Sequence, residues 1–342
     1  MYILGLESSC DETSAAIVRM QTDEVMGRCE REICANIVAS QIKTHRLYGG
    51  VVPEIAGRAH IEAVSRITYE ALETAGLTIS DIGAIAVTTH PGLIGALLVG
   101  VNFAKSLAFA RNIPLISVNH IHAHVAAAYL ADTELKPPFL ALVVSGGHTQ
   151  LYMVEDELTF CMIGGTRDDV AGEAFDKIGR VIGLPYPGGA ALDKLAYEGD
   201  KGAFVLPSPA LAADRPDFSF SGLKTAALNL INSARQRGEE INRADLAASY
   251  TETIVRGLTK QTSVALKLTG AKTLVLAGGV AANSHLRAAL TSECEKRHVK
   301  VVTPPLALCG DNGAMVAAAG YFRYREGLFA STDLNASAAD EM

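Results

Sequence analysis

The feature that most constrains this chain is a structural plan written twice. Near the start, the apolar run Tyr2–Glu7 feeds the polar cluster Ser8-Ser-Cys-Asp-Glu-Thr13, and a second apolar run, 15–18, follows at once. In the second half, Phe139–Val144 enters Ser145-Gly-Gly-His-Thr149 and returns along 150–154. Short apolar runs joined by a few polar or glycine residues read as hairpins. Strand and helix patterns follow each hairpin: a strand at 85–89, a buried helix over 93–110 and a strand at 116–118 in the first half. The second half has a strand at 273–276, a helix from about 283 to 296, a strand at 299–303 and a final helix starting near Asp311. This repetition predicts an α/β protein of two related lobes with a central cleft. The stretch 165–267 lacks strand signals and predicts a mainly helical insertion in the second lobe. The expected boundaries are an N-terminal lobe over 1–134, a C-terminal lobe over 135–328 and a frayed tail over 329–342.

Composition narrows the setting. With 342 residues, 49% of them hydrophobic, the chain is long enough for two cores. The longest uninterrupted apolar run, 93–101, is less than half a membrane span, and residues 1–10 show no secretory pattern. Six cysteines (10, 29, 34, 161, 294 and 309) form no CxxC pair, which points to reduced thiols and a cytoplasmic protein. The net charge of −7 argues against a chain that grips nucleic acid over its whole surface. Its distribution is uneven: residues 215–300 carry thirteen Lys/Arg against seven Asp/Glu, and residues 1–134 carry nine against fourteen. The basic segment is either a polyanion-binding face or a solvated helical one.

Glycine pairs recur at strand ends (146–147, 164–165, 188–189 and 278–279), where backbone N–H groups can approach an anion. None has the spacing of a P-loop or a GxGxxG dinucleotide turn. Residues 119–124 read Asn-His-Ile-His-Ala-His. On a helix, His120 and His124 lie one turn apart on one face and can share a metal ion, with His122 off that face. A strand with alternate residues on one face is the competing geometry. Two imidazoles need a further ligand, and Asp311 in Cys309-Gly-Asp-Asn-Gly-Ala-Met315 is a candidate, a helix N-cap being its other reading. Carboxylates also cluster at Asp11 and Glu12, and at Asp168, Asp169, Glu173 and Asp176. Of these, Asp169, Glu173 and Asp176 are spaced for one helical face.

Taken together, these residues resemble one family. Glu7-Ser-Ser-Cys-Asp-Glu-Thr13, Tyr48-Gly-Gly-Val-Val-Pro-Glu54, Pro91-Gly-Leu-Ile-Gly-Ala-Leu97, His120-xxx-His124, Val144-Ser-Gly-Gly-His-Thr149 and Ala171-Gly-Glu-Ala-Phe-Asp-Lys177 are similar to motifs of the bacterial TsaD-type tRNA N6-adenosine threonylcarbamoyltransferases. So are Tyr186-Pro-Gly-Gly189, Phe218-Ser-Phe-Ser-Gly-Leu-Lys224, Ala277-Gly-Gly-Val-Ala-Ala-Asn283 and Asp311-Asn-Gly-Ala-Met315, all in the family's order from about residue 2 to 325.

The resemblance implies the two-lobed fold of actin, sugar kinases and Hsp70-type ATPases. It implies transfer of threonylcarbamoyl from threonylcarbamoyl-adenylate to N6 of adenosine 37 in tRNA, with release of AMP. It implies one divalent metal ion, Fe(II) ahead of Zn, at His120, His124 and Asp311. Adenylate contacts are implied at Val143, Val144, Ser145, Gly146 and Gly147, with Asp176, Gly189, Asp193 and Asn283 around the nucleotide. The implied partners are tRNA, a paralogous TsaB-type subunit and a TsaE-type ATPase, with no membrane. Asp11 or Glu12 is the expected general base for deprotonating the adenine amine. His122 and Gly310 depart from the residues many bacterial members carry. The competing classes are a metallopeptidase, disfavoured because His120-xxx-His124 lacks the glutamate of HExxH, a sugar-kinase-type phosphotransferase and a non-catalytic binding lobe.

Overall fold

The computed structural model describes residues 1–23, 28–209 and 215–339; the side chains of 22–29, Cys29 among them, lie outside that description. The chain forms two compact units, one of residues 1–136 and 304 onward, the other of Pro137–Thr303. The first opens with strands β1 (Tyr2–Glu7), β2 (Glu12–Asp23) and β3 (Arg28–Ser40), then helices α1 (Ile42–His45) and α2 (Pro53–Ala75). Strand β4 (Ile82–His90), α3 (Ile94–Arg111), β5 (Leu115–Asn119) and α4 (His120–Ala131) follow. The second unit runs β6 (Phe139–Val144), β7 (Thr149–Val154), β8 (Phe160–Gly165), α5 (Ala171–Val181), α6 (Gly188–Leu195), α7 (Ser221–Arg237) and α8 (Arg243–Thr269). It ends with β9 (Thr273–Ala277), α9 (Ser284–Glu295) and β10 (Lys300–Val302), after which α10 (Gly313–Arg325) belongs to the first unit.

The duplication is exact in topology. One sheet has the order β3-β2-β1-β4-β5 and the other β10-β9-β6-β7-β8, the same arrangement with each strand number raised by five and the sequence read backwards. In each, an antiparallel three-strand meander is extended by two parallel strands. Helices α5–α8 are the expected insertion between β8 and β9.

Alternation along β1 builds two layers on the first sheet. Leu4 and Leu6 face a core shared with Ile17, Ile85, Val87, Ile67 and Ala71 of α2, and Val101 and Ala104 of α3. The other face receives α10, whose backbone lies directly on the sheet. A Cβ on Gly5 would stand 2.1 Å from the Gly313 carbonyl oxygen and 2.6 Å from the Ala317 nitrogen. Glu7, two residues on from Gly5, shares this α10 face.

Four expectations need correcting. Residues 304–328 fold with the first unit, not with a second lobe running to 328, because the small residues of α10 fit the α10 face of β1 and β2. The tail is not frayed over its described part: the Ala330 N–H donates to Leu115 O (2.8 Å), the Ser337 N–H to Thr89 O (2.9 Å) and Lys105 Nζ to Leu334 O (2.8 Å), while Leu334 and Ala336 pack on the core. Residues 340–342 lie outside the described residues. Strand β3 was not anticipated; it is a half-exposed edge strand rich in charged residues, so it carries little apolar signal. Helix α3 is not buried all round. Among the described residues it is the helix long and apolar enough to cross a membrane by length and composition (18 residues, mean hydropathy 1.3), yet its buried stripe, Ala96, Leu97, Gly100, Val101, Ala104 and Ala108, packs against β4 and α2.

Candidate metal centre and glycine-turn site

In the first unit the three histidines lie on α4, which removes the strand alternative. Asn119 caps the helix, its Oδ1 accepting the Ile121 (2.8 Å) and His122 (3.1 Å) N–H groups. His120 and His124 therefore sit on one face, their ring centroids 4.6 Å apart. The cap of α10 is Asn312, whose Oδ1 accepts the Met315 N–H at 3.0 Å, so Asp311 is not needed as a cap. Its carboxylate lies 3.2 Å from His124 Nε2 and 3.6 Å from His120 Nε2. One ligand atom from each of the three residues falls within 4.8 Å of the others. His124 is buried, and apart from the Asp311 carboxylate near Nε2 neither ring nitrogen has a hydrogen-bond partner. A buried imidazole without partners is costly unless something else satisfies it, and this donor set suits a divalent cation.

Glu7, which carries no role in the sequence reading beyond its place in a motif, completes the arrangement. Its buried carboxylate accepts the Thr88 hydroxyl (2.7 Å), the Ser9 N–H (2.6 Å) and the Nδ1–H of His120 (3.0 Å). Glu7 holds a proton on Nδ1, so Nε2, which faces Asp311, is the nitrogen that would ligate a cation once that cation displaces its own proton, as with a carboxylate behind a metal-binding histidine. Burial opposes charge on His120, but Asp311 and Glu7 together push it up to about 9. For Glu7, burial is outweighed by the charge and hydrogen bond of His120, which hold its carboxyl below the usual range. Asp11 lies in the first hairpin turn and Glu12 opens β2. Burial, then the charges of Asp11 and Asp311 and a hydrogen bond with Asp11, push the Glu12 carboxyl up to about 9.

In the second unit Val143 and Val144 are fully buried within β6, and the chain turns immediately after them. Ser145 Oγ accepts the N–H groups of Gly147 (3.3 Å) and His148 (3.1 Å), leaving Gly146 and Gly147 exposed with nothing within 4 Å of an added Cβ. Gly278, at φ +92°, packs against this turn, and its hypothetical Cβ would lie 2.4 Å from Val144 O. Asn283 caps α9 through the Leu286 N–H (2.8 Å). Asp176 Oδ1 accepts the Gly189 N–H at 2.8 Å. Asp193 accepts the N–H (3.1 Å) and hydroxyl (2.8 Å) of Ser284 and contacts His285 Nδ1 at 2.8 Å, with Tyr197 tilted 34° over that ring, its centroid 4.2 Å away.

The chain matches the TsaD family, tRNA N6-adenosine threonylcarbamoyltransferase, over residues 32–318. It is 51% identical over 334 residues to proteins of that name from Clostridium botulinum (strain 657 / Type Ba4) and Clostridium perfringens (strain SM101 / Type A), covering 98% of this chain and 96% of each relative. The chain belongs to the TsaD family. Membership makes it a transferase of the tRNA-modifying class. Among solved structures, full-length HypF superposes with a TM-score of 0.60 at 16% identity, over 99% of this chain and 47% of HypF. The (R)-2-hydroxyglutaryl-CoA dehydratase component A of Acidaminococcus fermentans superposes at 0.56 and 17% identity, over 95% and 98%. These likenesses establish the fold, an α/β arrangement shared with both proteins.

One carboxylate reading changes in this TsaD-family chain. Asp169 does not share a helical face with Glu173 and Asp176, because Val170 is extended and α5 starts at Ala171. Asp169 is ion-paired with Lys224. Asp168 instead caps α7 from fifty residues away, its carboxylate accepting the Ser219 hydroxyl (2.5 Å) and the Phe220 (2.7 Å) and Ser221 (3.2 Å) N–H groups. Burial raises its carboxyl, but these donors outweigh it and hold it below the usual range. Asp168→Ala is expected to cost about 1 kcal/mol at pH 7. A depressed folded value means that this contribution is complete above the ordinary Asp pKa of about 3.9 and is lost as the pH falls through the folded value. Hydrogen exchange in α7 should therefore differ between the two chains at pH 7, and the difference should shrink in acid.

Proposed function

We propose that this chain moves the threonylcarbamoyl group from threonylcarbamoyl-adenylate to N6 of adenosine 37 in tRNA, releasing AMP. The observation that carries this reading is the buried His124 imidazole, without a hydrogen bond and facing the Asp311 carboxylate in a three-residue donor set, within a chain of the TsaD family. His120, His124 and Asp311 would hold one divalent ion, Fe(II) ahead of Zn, which when bound supplies Lewis-acid polarisation of an acyl or carboxylate oxygen. Glu7 keeps His120 in the ligating tautomer. The exposed turn at Gly146 and Gly147 has room for a phosphate near backbone N–H groups. Asp176, Gly189, Asp193 and Asn283 surround the nucleotide in this reading, with Val143 and Val144 as the rigid strand behind the turn.

A carbamoyl–phosphate anhydride is already activated, so the protein's work is orientation and proton removal. The new bond joins adenine N6 to the carbamoyl carbon, the bond from that carbon to the phosphate oxygen breaks, and AMP leaves. The Asp11–Glu12 pair takes the N6 proton. Asp11→Asn and Glu12→Gln should each slow single-turnover transfer about 10²-fold while AMP binding is unchanged; full rates in both variants would remove the pair from the mechanism.

The acidic chain meets tRNA through the basic segment 215–300, with TsaB-type and TsaE-type proteins as cytoplasmic partners in turnover. Charge reversal at Arg235, Arg237 and Arg243 should weaken tRNA binding and flatten its dependence on salt, measured by filter binding between 50 and 200 mM salt. The test of the whole reading is transfer of labelled threonylcarbamoyl to unmodified tRNA with both partner proteins present, with and without chelator. N6 product that chelation removes and His120→Ala does not form is the expected result. No product with any metal, together with ATP turnover or peptide cleavage by the chain alone, would replace this reading.

A further inference from the structure

Two buried histidines outside the donor set, His45 and His60, are fully excluded from solvent. His60, on α2, spans the first hairpin turn. Its Nε2 lies 2.9 Å from Cys10 O and its Nδ1 lies 2.8 Å from Thr13 Oγ1. A carbonyl only accepts, so Nε2 carries the proton; Nδ1 is then bare and accepts the Thr13 hydroxyl. Burial lowers the pKa of this imidazole, which keeps it neutral in that role. Cys10 and Thr13 flank Asp11 and Glu12, so one rigid ring fixes both ends of the segment bearing the two carboxyls.

The remaining contacts of the turn belong to the same frame. The Asp11 carbonyl accepts the Gln41 N–H at 3.0 Å. Gln41 is itself buried; its Oε1 lies 3.0 Å from His45 Nε2, and His45 Nδ1 accepts the Val52 N–H at 3.3 Å. The Ser40 hydroxyl donates to Glu12 Oε1 at 2.9 Å. Carbonyls at 10 and 11 and the hydroxyl at 13 are thus all held by groups from α2 and the β3–α1 corner.

We infer that His60 is a positioning residue for transfer: it acts through the hairpin turn, holding the Asp11–Glu12 pair where it can take the N6 proton. This rests on the assignment of that pair as the base. A ring that merely filled space would be replaceable by any apolar side chain of its size. A ring acting by its two hydrogen bonds needs a substitute with one donor and one acceptor. Glutamine offers both, and leucine neither. His60→Gln should keep the transfer rate within about threefold, while His60→Leu should lose about 10²-fold in the single-turnover rate with Zn(II) and AMP affinities unchanged, as a misplaced catalytic group does.

Nitrogen-15 spectra of the imidazoles, in the full chain with its partners, read the premise without any turnover: His60 should be neutral at pH 7 with its proton on Nε2. A proton on Nδ1, equal losses in the Gln and Leu variants, or an unchanged rate in His60→Leu would each overturn the inference. Should His60→Leu not fold, Thr13→Val removes one anchor at nearly constant shape and should slow transfer about tenfold; an unchanged rate there also overturns it. Failure of the base assignment is separate, because it is read from the Asp11→Asn and Glu12→Gln rates.

Discussion

Chains carrying His124→Ala, purified and loaded with Zn(II) or Fe(II), are expected to lose stoichiometric metal and to fall about 10³-fold in transfer, several kcal/mol of lost charge stabilisation. His124 is the most telling of the three donors because neither of its ring nitrogens has any other task. Removing it creates a small cavity but breaks no hydrogen bond, so the fold should survive. Glu7→Gln separates the donor from its support. The amide keeps the shape but no longer offers a full carboxylate to His120 Nδ1–H, and metal affinity should drop by about 10- to 100-fold with all three donors still in place. Metal content after dialysis and transfer rate should fall together in both variants. A His124→Ala chain that keeps its metal and its rate would show that the donors act elsewhere in the structure.

The parts of this site that were legible in the sequence are those with a local signature. His120 and His124 announce themselves by spacing, and the glycine turns by composition. Asp311 looked equally like a helix cap, and only the neighbouring Asn312, which takes the cap, frees it. Glu7 gives no local signal of its function: its partners are Ser9, Thr88 and His120, the last two 81 and 113 positions away, brought together by parallel pairing of β1 with β4 and the placement of α4. The same holds for Asp168, which reads in the sequence only as one of an acidic cluster and in fact caps a helix from fifty residues away. The return of α10 to the first unit was hidden for a related reason. A stretch of alanine and glycine reads as a helix wherever it lies, and nothing local says which sheet it will cover.

Gly5→Ala is expected to be the most damaging single methyl group that can be added to the first unit. Its Cβ would meet the Gly313 carbonyl oxygen at 2.1 Å and the Ala317 nitrogen at 2.6 Å, both backbone atoms that no rotamer change can move aside. Either β1 or α10 must shift by about an ångström, and overpacking of this kind costs about 3 kcal/mol or more. The consequence reaches the chemistry, because Asp311 lies two residues before Gly313 and Glu7 two residues after Gly5. Displacing the helix draws the carboxylate away from His120 and His124 in the same motion. The variant should therefore lose metal affinity even at temperatures where it remains folded. Gly95→Ala is the matched control: nothing lies within 4 Å of its Cβ, and an alanine within α3 should leave stability unchanged or raise it by about 0.5–1 kcal/mol. Thermal melts of the two variants with metal titrations below their midpoints would decide the point. Equal stability in both would mean that α10 can slide on the sheet, and that the metal centre does not depend on how closely these two backbones approach.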